Sequence, residues 1–412
     1  MNEKKIVYIN LDGFSYSYFG RLKKNGEVQG LCSLAKEGLL FNDLHSGIVS
    51  ITNPMQSAIL GGAWSNKTHN FYHHYDPEAR KVVKHYRTFD AENIAEVMTG
   101  NGKRVVSIHQ FMLENNPCKE GVFDCAYIKS SAPQSTYMER FALLKKLALK
   151  EPVKSGEEYF VYDEFPDFVA LYIDDLDSLG HNNEYDGYPK RHTPEERFAD
   201  IAKRIKGIEA ELLSFIRLCK SEGIYNDLVI LITTDHGMTP FFGKSKLTDL
   251  INAVNALGIK TDTPDSVNDE TEIVVLPYTI ECSLYYQKPL SNEREERLSE
   301  LLRSLDYVER VFTKPQLLQE FGFDERGPQF LLSPQYGSHF YHRDGDEYYG
   351  ASHDSFDETS QHIFGLLLGE SVMPSECNDR VYSIDLLPSI LYKANGLKMK
   401  DATGKVFKNW FK

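Results

Sequence analysis

Residues 227–238 read DLVILITTDHGM, an apolar, β-branched run that ends by placing the carboxylate of Asp235 beside the imidazole of His236. Such a run has the character of a strand buried on both faces in a parallel sheet, and open α/β sheets keep their ligands at the carboxyl edge of those strands. Adjacent Asp and His suit a transition metal or a proton relay, and Gly237 lets the backbone turn tightly or a ligand come close. Alone, the tripeptide equally fits an aspartate that caps a turn beside a merely polar histidine. The pattern recurs, however. Residues 5–11 (KIVYINL) end in Asp12-Gly13, residues 168–173 (FVALYI) run into Asp174, Asp175 and Asp177, and His353 follows a late glycine turn.

Asp177 and His181 are spaced D-x-x-x-H, which lets both side chains reach one ion from a loop or one helical turn. Zinc accepts neutral imidazole and carboxylate at ~2.0–2.2 Å and needs no cysteine in a catalytic site. Three Asp and three His suffice for two ions, whereas a single zinc leaves buried carboxylates unpaired. Two ions ~3.5–4 Å apart form the clamp used for in-line phosphoryl displacement. Thr52 is the candidate nucleophile. It precedes Asn53-Pro54 at the mouth of a predicted helix, where free N–H groups and the helix dipole favour an anion, and a metal-bound threonine needs no separate base. A plain N-cap role would also account for it.

With 412 residues the chain can bury a large core, arranged as one big domain or a domain with an insert. No segment approaches the ~18 apolar residues of a membrane span, and 362–369, among the longest apolar runs, is interrupted by glycine. The start, MNEKKIVYINLDG, lacks the apolar length and cleavage site of a signal peptide, so a cytoplasmic location is expected. Six scattered cysteines without CxxC spacing read as free thiols. A net charge of −14 argues against a stable nucleic-acid partner, while a metal ion can invert the local field for a small phosphorylated substrate.

The elements that must position these groups alternate strand and helix. Helices are expected at 29–39, 55–60, 91–99 and 137–149, and strands at 104–108 and 168–173; residues 115–165 are otherwise hard to place. Thr193-Pro194-Glu195-Glu196 is a strong helix start, and Phe198, Ile201, Ile205, Ile208, Leu212 and Phe215 form its apolar stripe up to Gly223. From 244 to 345 the pattern changes to helices mixed with antiparallel-type strands. The expectation is an α/β core of residues 1–243 and 346–412, with 244–345 as an inserted smaller α+β lobe.

Asp-Gly at 12–13, Thr-Asn-Pro at 52–54, DSLGH at 177–181, DHGM at 235–238, Ser-His at 352–353 and D-x-x-P-S-I-L from 385 follow in order along the chain. This series resembles the alkaline phosphatase superfamily, and within it is similar to the nucleotide pyrophosphatase/phosphodiesterase branch; Thr-Asn-Pro also resembles phosphonoacetate hydrolase. The resemblance implies a mostly parallel sheet flanked by helices on both faces and two divalent metal ions, most often Zn2+. It implies that Asp177, His181 and His353 hold one ion, and that Asp12, Asp235 and His236 hold the other together with Thr52. It further implies attack by Thr52 on phosphorus, a phosphothreonine intermediate and its hydrolysis.

One departure bears on the substrate. The branch carries His-Gly-Ile and then an asparagine that binds a phosphoryl oxygen, where this chain reads KTHNFYHHYD at 67–76. Asn53, Asn70, His73 and His74 are the substrate-binding candidates. His45, His85, His109, His192 and His362 read as polar or capping residues, and His339 and His342 as surface histidines that could instead line the pocket. Tyr72, Tyr75, Tyr341 and Tyr348 are weak candidates for stacking on a base, and the acidic run 344–347 is a solvated turn. A phosphodiesterase or pyrophosphatase is the first reading. A phosphonate or phosphomonoester hydrolase is the second, and a phosphomutase or inactive metal-binding protein the third.

Overall fold

The computed structural model describes residues 3–130, 136–341 and 348–412. The sequence expectations for His342 and for the acidic run 344–347 lie outside the described residues.

An eight-stranded sheet forms the centre, in the order Ser375–Cys377, Leu39–Phe41, Gly365–Leu368, Leu228–Thr233, Lys5–Leu11, Phe168–Ile173, Val105–Ile108 and Cys125–Ile128. Lys5–Leu11 lies between Phe168–Ile173 and Leu228–Thr233 and is parallel to both. Gly365–Leu368 alone runs against its two neighbours. The strand at 365–368 was legible beforehand only as an apolar run. Nothing in its composition announces that it slots antiparallel between Leu39–Phe41 and Leu228–Thr233.

Both faces of the sheet are covered, which explains the continuous apolar strands. Val7, Ile9 and Leu11 point to one side, where they meet Ile201, Ile205, Ile208, Leu212 and Phe215 of the helix Pro194–Ser221. Ile6 and Tyr8 point to the other, against Ile59 and Leu60 of Thr52–Gly61 and Leu386, Leu387 and Ile390 of Ser383–Asn395. This is the alkaline phosphatase-like α/β arrangement. The long helix opens on the anticipated capping box, Thr193 with Glu196. Among the described residues no helix is long and apolar enough to cross a membrane.

The register aligns the strand ends. Leu11 pairs with Ile173 and Asn10 with Thr233, so Asp12, the Asp174–Asp177 region and Asp235 leave the sheet at one edge. A second, five-stranded sheet, built between residues 261 and 334, packs the helices Leu247–Ala256 and Asn292–Ser304 on one face. Its other face brings Val274, Leu276 and Tyr285 against Tyr75 of the hairpin strand His73–Asp76.

The short helix Asp175–Gly180, which carries Asp177, is anchored from below. Asp175 is fully buried, accepts the Tyr137 N–H at 3.1 Å and is bound by Thr136 Oγ1 and Arg204 Nη1; Arg204 also reaches Asp186 at 2.5 Å. Arg204→Met leaves the Asp175 charge buried without its partner, so an expected loss of about 3–5 kcal/mol should appear in equilibrium denaturation. A loss below about 1 kcal/mol would show that the pair is dispensable.

Candidate active site

Asp12, Thr52, Asp177, His181, Asp235, His236 and His353 converge at the sheet's carboxyl edge. His236 Nε2 lies 3.2 Å from Asp12 Oδ1, 3.6 Å from Asp235 Oδ2 and 3.0 Å from Thr52 Oγ1. His181 Nε2 and His353 Nε2 lie 3.3 Å and 3.6 Å from Asp177 Oδ1. The two halves touch, because His236 and His353 stack at 3.6 Å between ring centroids. His236 is also close enough to group with Asp177 and His353 as well as with Asp12 and Asp235.

The local backbone explains the glycines. Gly13 has φ +82°, and a Cβ there would meet Asp177 Cα and N at 2.9 Å, so the Asp12 turn can sit against the Asp177 helix only without a side chain. At Gly237 a Cβ would lie 2.0 Å from the Thr359 carbonyl oxygen. Thr52 is the first residue of Thr52–Gly61, whose extended N-cap, Ile51, offers no side-chain cap; Thr52 is therefore not the N-cap itself.

Hydrogen bonds to the far side of each ring fix the protonation pattern. Nδ1 of His181 donates to Ala351 O at 2.9 Å, Nδ1 of His353 to Ser50 O at 2.7 Å, and Nδ1 of His236 to Gly237 O at 3.0 Å. A carbonyl only accepts, so each Nδ1 carries a proton and each ring turns its Nε2, open to a cation or to a second proton, toward carboxylates. Asp12 Oδ1, Asp177 Oδ1 and Asp235 Oδ2 are buried without a hydrogen-bond donor among the described residues. Acceptors thus face acceptors on every side of the cluster, an arrangement that calls for cations. Backbone-anchored imidazoles with inward lone pairs are the usual support of metal ligands, and the donor set suits zinc or a similar divalent ion.

The same field appears in the acidities. Burial first, and then the charges of Asp235 and Asp177, hold the Asp12 carboxyl well above its ordinary value. Burial works to lower His181, but Asp177 overrides it and raises the imidazole to about 9. Burial, with His236 adding to it, holds His353 well below its usual value.

Sequence reasoning missed the side chains behind the ligands. Tyr172 Oη donates to Asp12 Oδ2, Ser46 Oγ to Asp235 O at 2.5 Å, and Ser50 Oγ to His353 O at 2.5 Å. These are ordinary polar residues in apolar stretches, and only the tertiary fold gives them partners. The substrate candidates separate. Asn53 Oδ1 accepts the Arg87 N–H and its carbonyl accepts Asn70 Nδ2; His74 Nδ1 pairs with His85 Nε2 at 2.7 Å; His73 Nε2 has no partner among the described residues. His339, expected at the surface, is instead buried against Phe241 with Nε2 donating to Gly243 O at 3.1 Å. Tyr75 is buried with its hydroxyl on Gln287, and Tyr348 stacks on His192.

Asp43, His45 and His362 form another close group. Their polar atoms are already partnered: Arg380 neutralises Asp43 at 2.8 Å, His45 Nε2 lies 2.8 Å from Asp43 Oδ1, and His362 Nε2 bonds Asn42 O at 2.9 Å.

Fold and cluster together define a class, α/β proteins that gather carboxylates and imidazoles beside a hydroxyl at one sheet edge in groups able to hold metal ions. A profile of the type I phosphodiesterase / nucleotide pyrophosphatase family matches residues 6–357, and the chain belongs to that family of phosphoric ester hydrolases. Among curated relatives, the bis(5'-adenosyl)-triphosphatase of Mus musculus is 20% identical over 69% of this chain and 56% of its own length. The Homo sapiens protein of that name is 21% identical over 57% of this chain and 48% of its own. The chain thus spans about half the length of the curated relatives it matches. Murine ectonucleotide pyrophosphatase / phosphodiesterase 5 superposes with a TM-score of 0.67 at 14% identity, covering 98% of both chains. The human protein gives 0.68 at 16%, covering 98% of this chain and 97% of its own.

Beside the site, Glu281 is 2% exposed, and burial followed by the Asp354 charge pushes its carboxyl up from 4.5 to about 8. A raised folded value means that the stability is whole below pH 4.5 and is lost as pH climbs through about 8. Denaturation midpoints should therefore fall between about pH 5 and pH 8 more steeply for the native chain than for Glu281→Gln. Parallel curves for the two proteins would show that Glu281 ionises freely.

Proposed function

We propose that this chain is a two-metal phosphodiesterase or pyrophosphatase that hydrolyses a small phosphate diester or nucleotide-like substrate through a phosphothreonine on Thr52, with zinc as the metal. The observation that carries the reading is the cluster beside Thr52 in which three Nε2 atoms face three carboxylate oxygens that have no donor among the described residues. Further support comes from the printed names of relatives, a bis(5'-adenosyl)-triphosphatase and a murine phosphodiesterase whose inactive threonine-to-alanine variant was solved with AMP.

Asp12, Asp235 and His236 would hold one ion, and Asp177, His181 and His353 the other. When bound, the pair lowers the pKa of a coordinated hydroxyl and neutralises charge on the phosphoryl group. The chain's own groups do the rest. Thr52 Oγ1 forms the new bond to phosphorus as the ester bond to the leaving oxygen breaks, and water later releases the phosphoryl group from the threonine. His236 Nε2, 3.0 Å from Thr52 Oγ1, holds the hydroxyl on the side of Asp12 and Asp235. The free N–H groups that begin Thr52–Gly61 suit a phosphoryl oxygen. Nδ1–H anchors on Ala351, Ser50 and Gly237 keep the rings from turning. The six cysteines are free of disulfides, consistent with a reducing compartment, and the partner expected is the small phosphorylated substrate.

Thr52→Ala should abolish hydrolysis of bis-p-nitrophenyl phosphate while metal content by elemental analysis stays at that of the native chain. Activity kept within about tenfold, or about 1.4 kcal/mol of barrier, would mean another nucleophile. Chelation should remove activity without unfolding the sheet, and zinc should restore it. Turnover that survives full metal removal would sink the two-metal reading.

A further inference from the structure

Asp354 follows His353 directly and is buried, yet the cluster does not use it. Its Oδ2 accepts three backbone N–H groups, from Thr279 at 2.7 Å, Ile280 at 2.7 Å and Glu281 at 3.1 Å, and its Oδ1 accepts Ser352 Oγ at 2.7 Å. Those amides form the turn between strands Ile273–Pro277 and Cys282–Tyr286 of the second sheet. Successive N–H groups converging on one oxygen make an anion nest, here filled by a carboxylate of the main body. The second sheet is thereby pinned to the residue next to a predicted metal ligand.

Tyr278, at the start of that turn, stacks on His73 with centroids 4.4 Å apart and planes 2° from parallel. Tyr72 precedes His73 and is half-buried, 6.2 Å from Tyr278 between centroids. Its φ is +73°, and the His73 N–H donates to Phe71 O at 3.0 Å, so Tyr72 is the centre of a γ-turn with positive φ. A bulky L-residue stays there only where its surroundings over-determine it, and such strain of about 1–3 kcal/mol gathers at binding sites. The restraints are visible: Tyr72 O accepts the His85 N–H at 2.8 Å, and Asn70 links the turn to Asn53, the neighbour of Thr52. Burial first and the Asp354 charge next raise the Tyr72 hydroxyl, which puts the ring within the field beside His353. His73 is nine-tenths buried with Nε2 unpartnered among the described residues. A buried polar nitrogen in that state is explained by a partner that arrives with a ligand.

We propose that Asp354 is a positioning residue for substrate binding: by gripping the 279–281 turn it holds Tyr278 behind Tyr72 and His73, which form the wall against which the organic group of a phosphate ester lies. The proposal rests on the hydrolase reading above for its substrate. His353 does not depend on Asp354, because Ser50 holds both its Nδ1 and its carbonyl. Loss of the Asp354 carboxylate therefore frees the turn and leaves the metal ligand in place.

Asp354→Ala should raise KM for bis-p-nitrophenyl phosphate by about tenfold, with kcat within about threefold and metal content unchanged. Hydrogen exchange at the amides of Thr279, Ile280 and Glu281 should speed up in the same variant. Asp354→Asn, which keeps one acceptor oxygen, should fall between, and it serves if the alanine variant does not fold. In a Tyr278→Ala background, Asp354→Ala should add little to KM, because both changes dismantle one wall. An unchanged KM, additive effects with Tyr278→Ala, or unaltered exchange at 279–281 would overturn the proposal. Failure of the native chain to hydrolyse any ester would instead overturn the hydrolase reading and leave the exchange result standing on its own.

Discussion

Everything at the sheet's edge depends on lone pairs that face one another. Three imidazoles, each tied by Nδ1–H to a main-chain carbonyl, direct Nε2 at aspartate oxygens that receive no donor among the described residues. Protons can relieve such a cluster partly, as the raised His181 and Asp12 values show, but each proton serves one contact at a time. A divalent ion satisfies three or four acceptors at once, and the enclosing carbonyls then become the fixed frame of a coordination shell. The fold accepts this unfavourable apposition because the parallel strands are held by their own ladders and by two apolar layers, independent of what sits at their ends.

The main sheet was legible because strands buried on both faces read as unbroken apolar runs, and the meeting of aspartates and histidines at its edge was legible because each such run ended in the same residue types. Asp12, Asp177, Asp235 and His236 needed only that rule; His353, just past the strand Gly350–Ser352 that pairs with Thr239–Phe241, was read from the late glycine turn before it. What sequence could not supply were contacts that exist only through topology. Gly365–Leu368 carries no mark of its antiparallel setting, and Ser46, Ser50 and Tyr172 are chemically unremarkable until the sheet brings their partners. His339 was misjudged for the opposite reason: flanking polar residues suggested solvent, whereas Phe241 and the Gly243 carbonyl enclose it.

The region where the chain leaves the family pattern, residues 67–76, shows how a local change is absorbed. Tyr72 there has a positive φ, and the polar groups around it bond to neighbouring segments: Asn70 to Asn53, and His74 to His85. The last residues of that region reach the second sheet, whose Val274, Leu276 and Tyr285 pack on Tyr75.

The place of Gly365–Leu368 has a bearing on how the molecule is made. This strand wedges between Leu39–Phe41 and Leu228–Thr233, both far ahead of it in the chain, so the sheet stays divided until a strand made well after either of them arrives. Pairings so distant along the chain are slow to form and leave strand edges bare meanwhile. The earlier strands then keep their facing edges open until Gly365–Leu368 fills the gap.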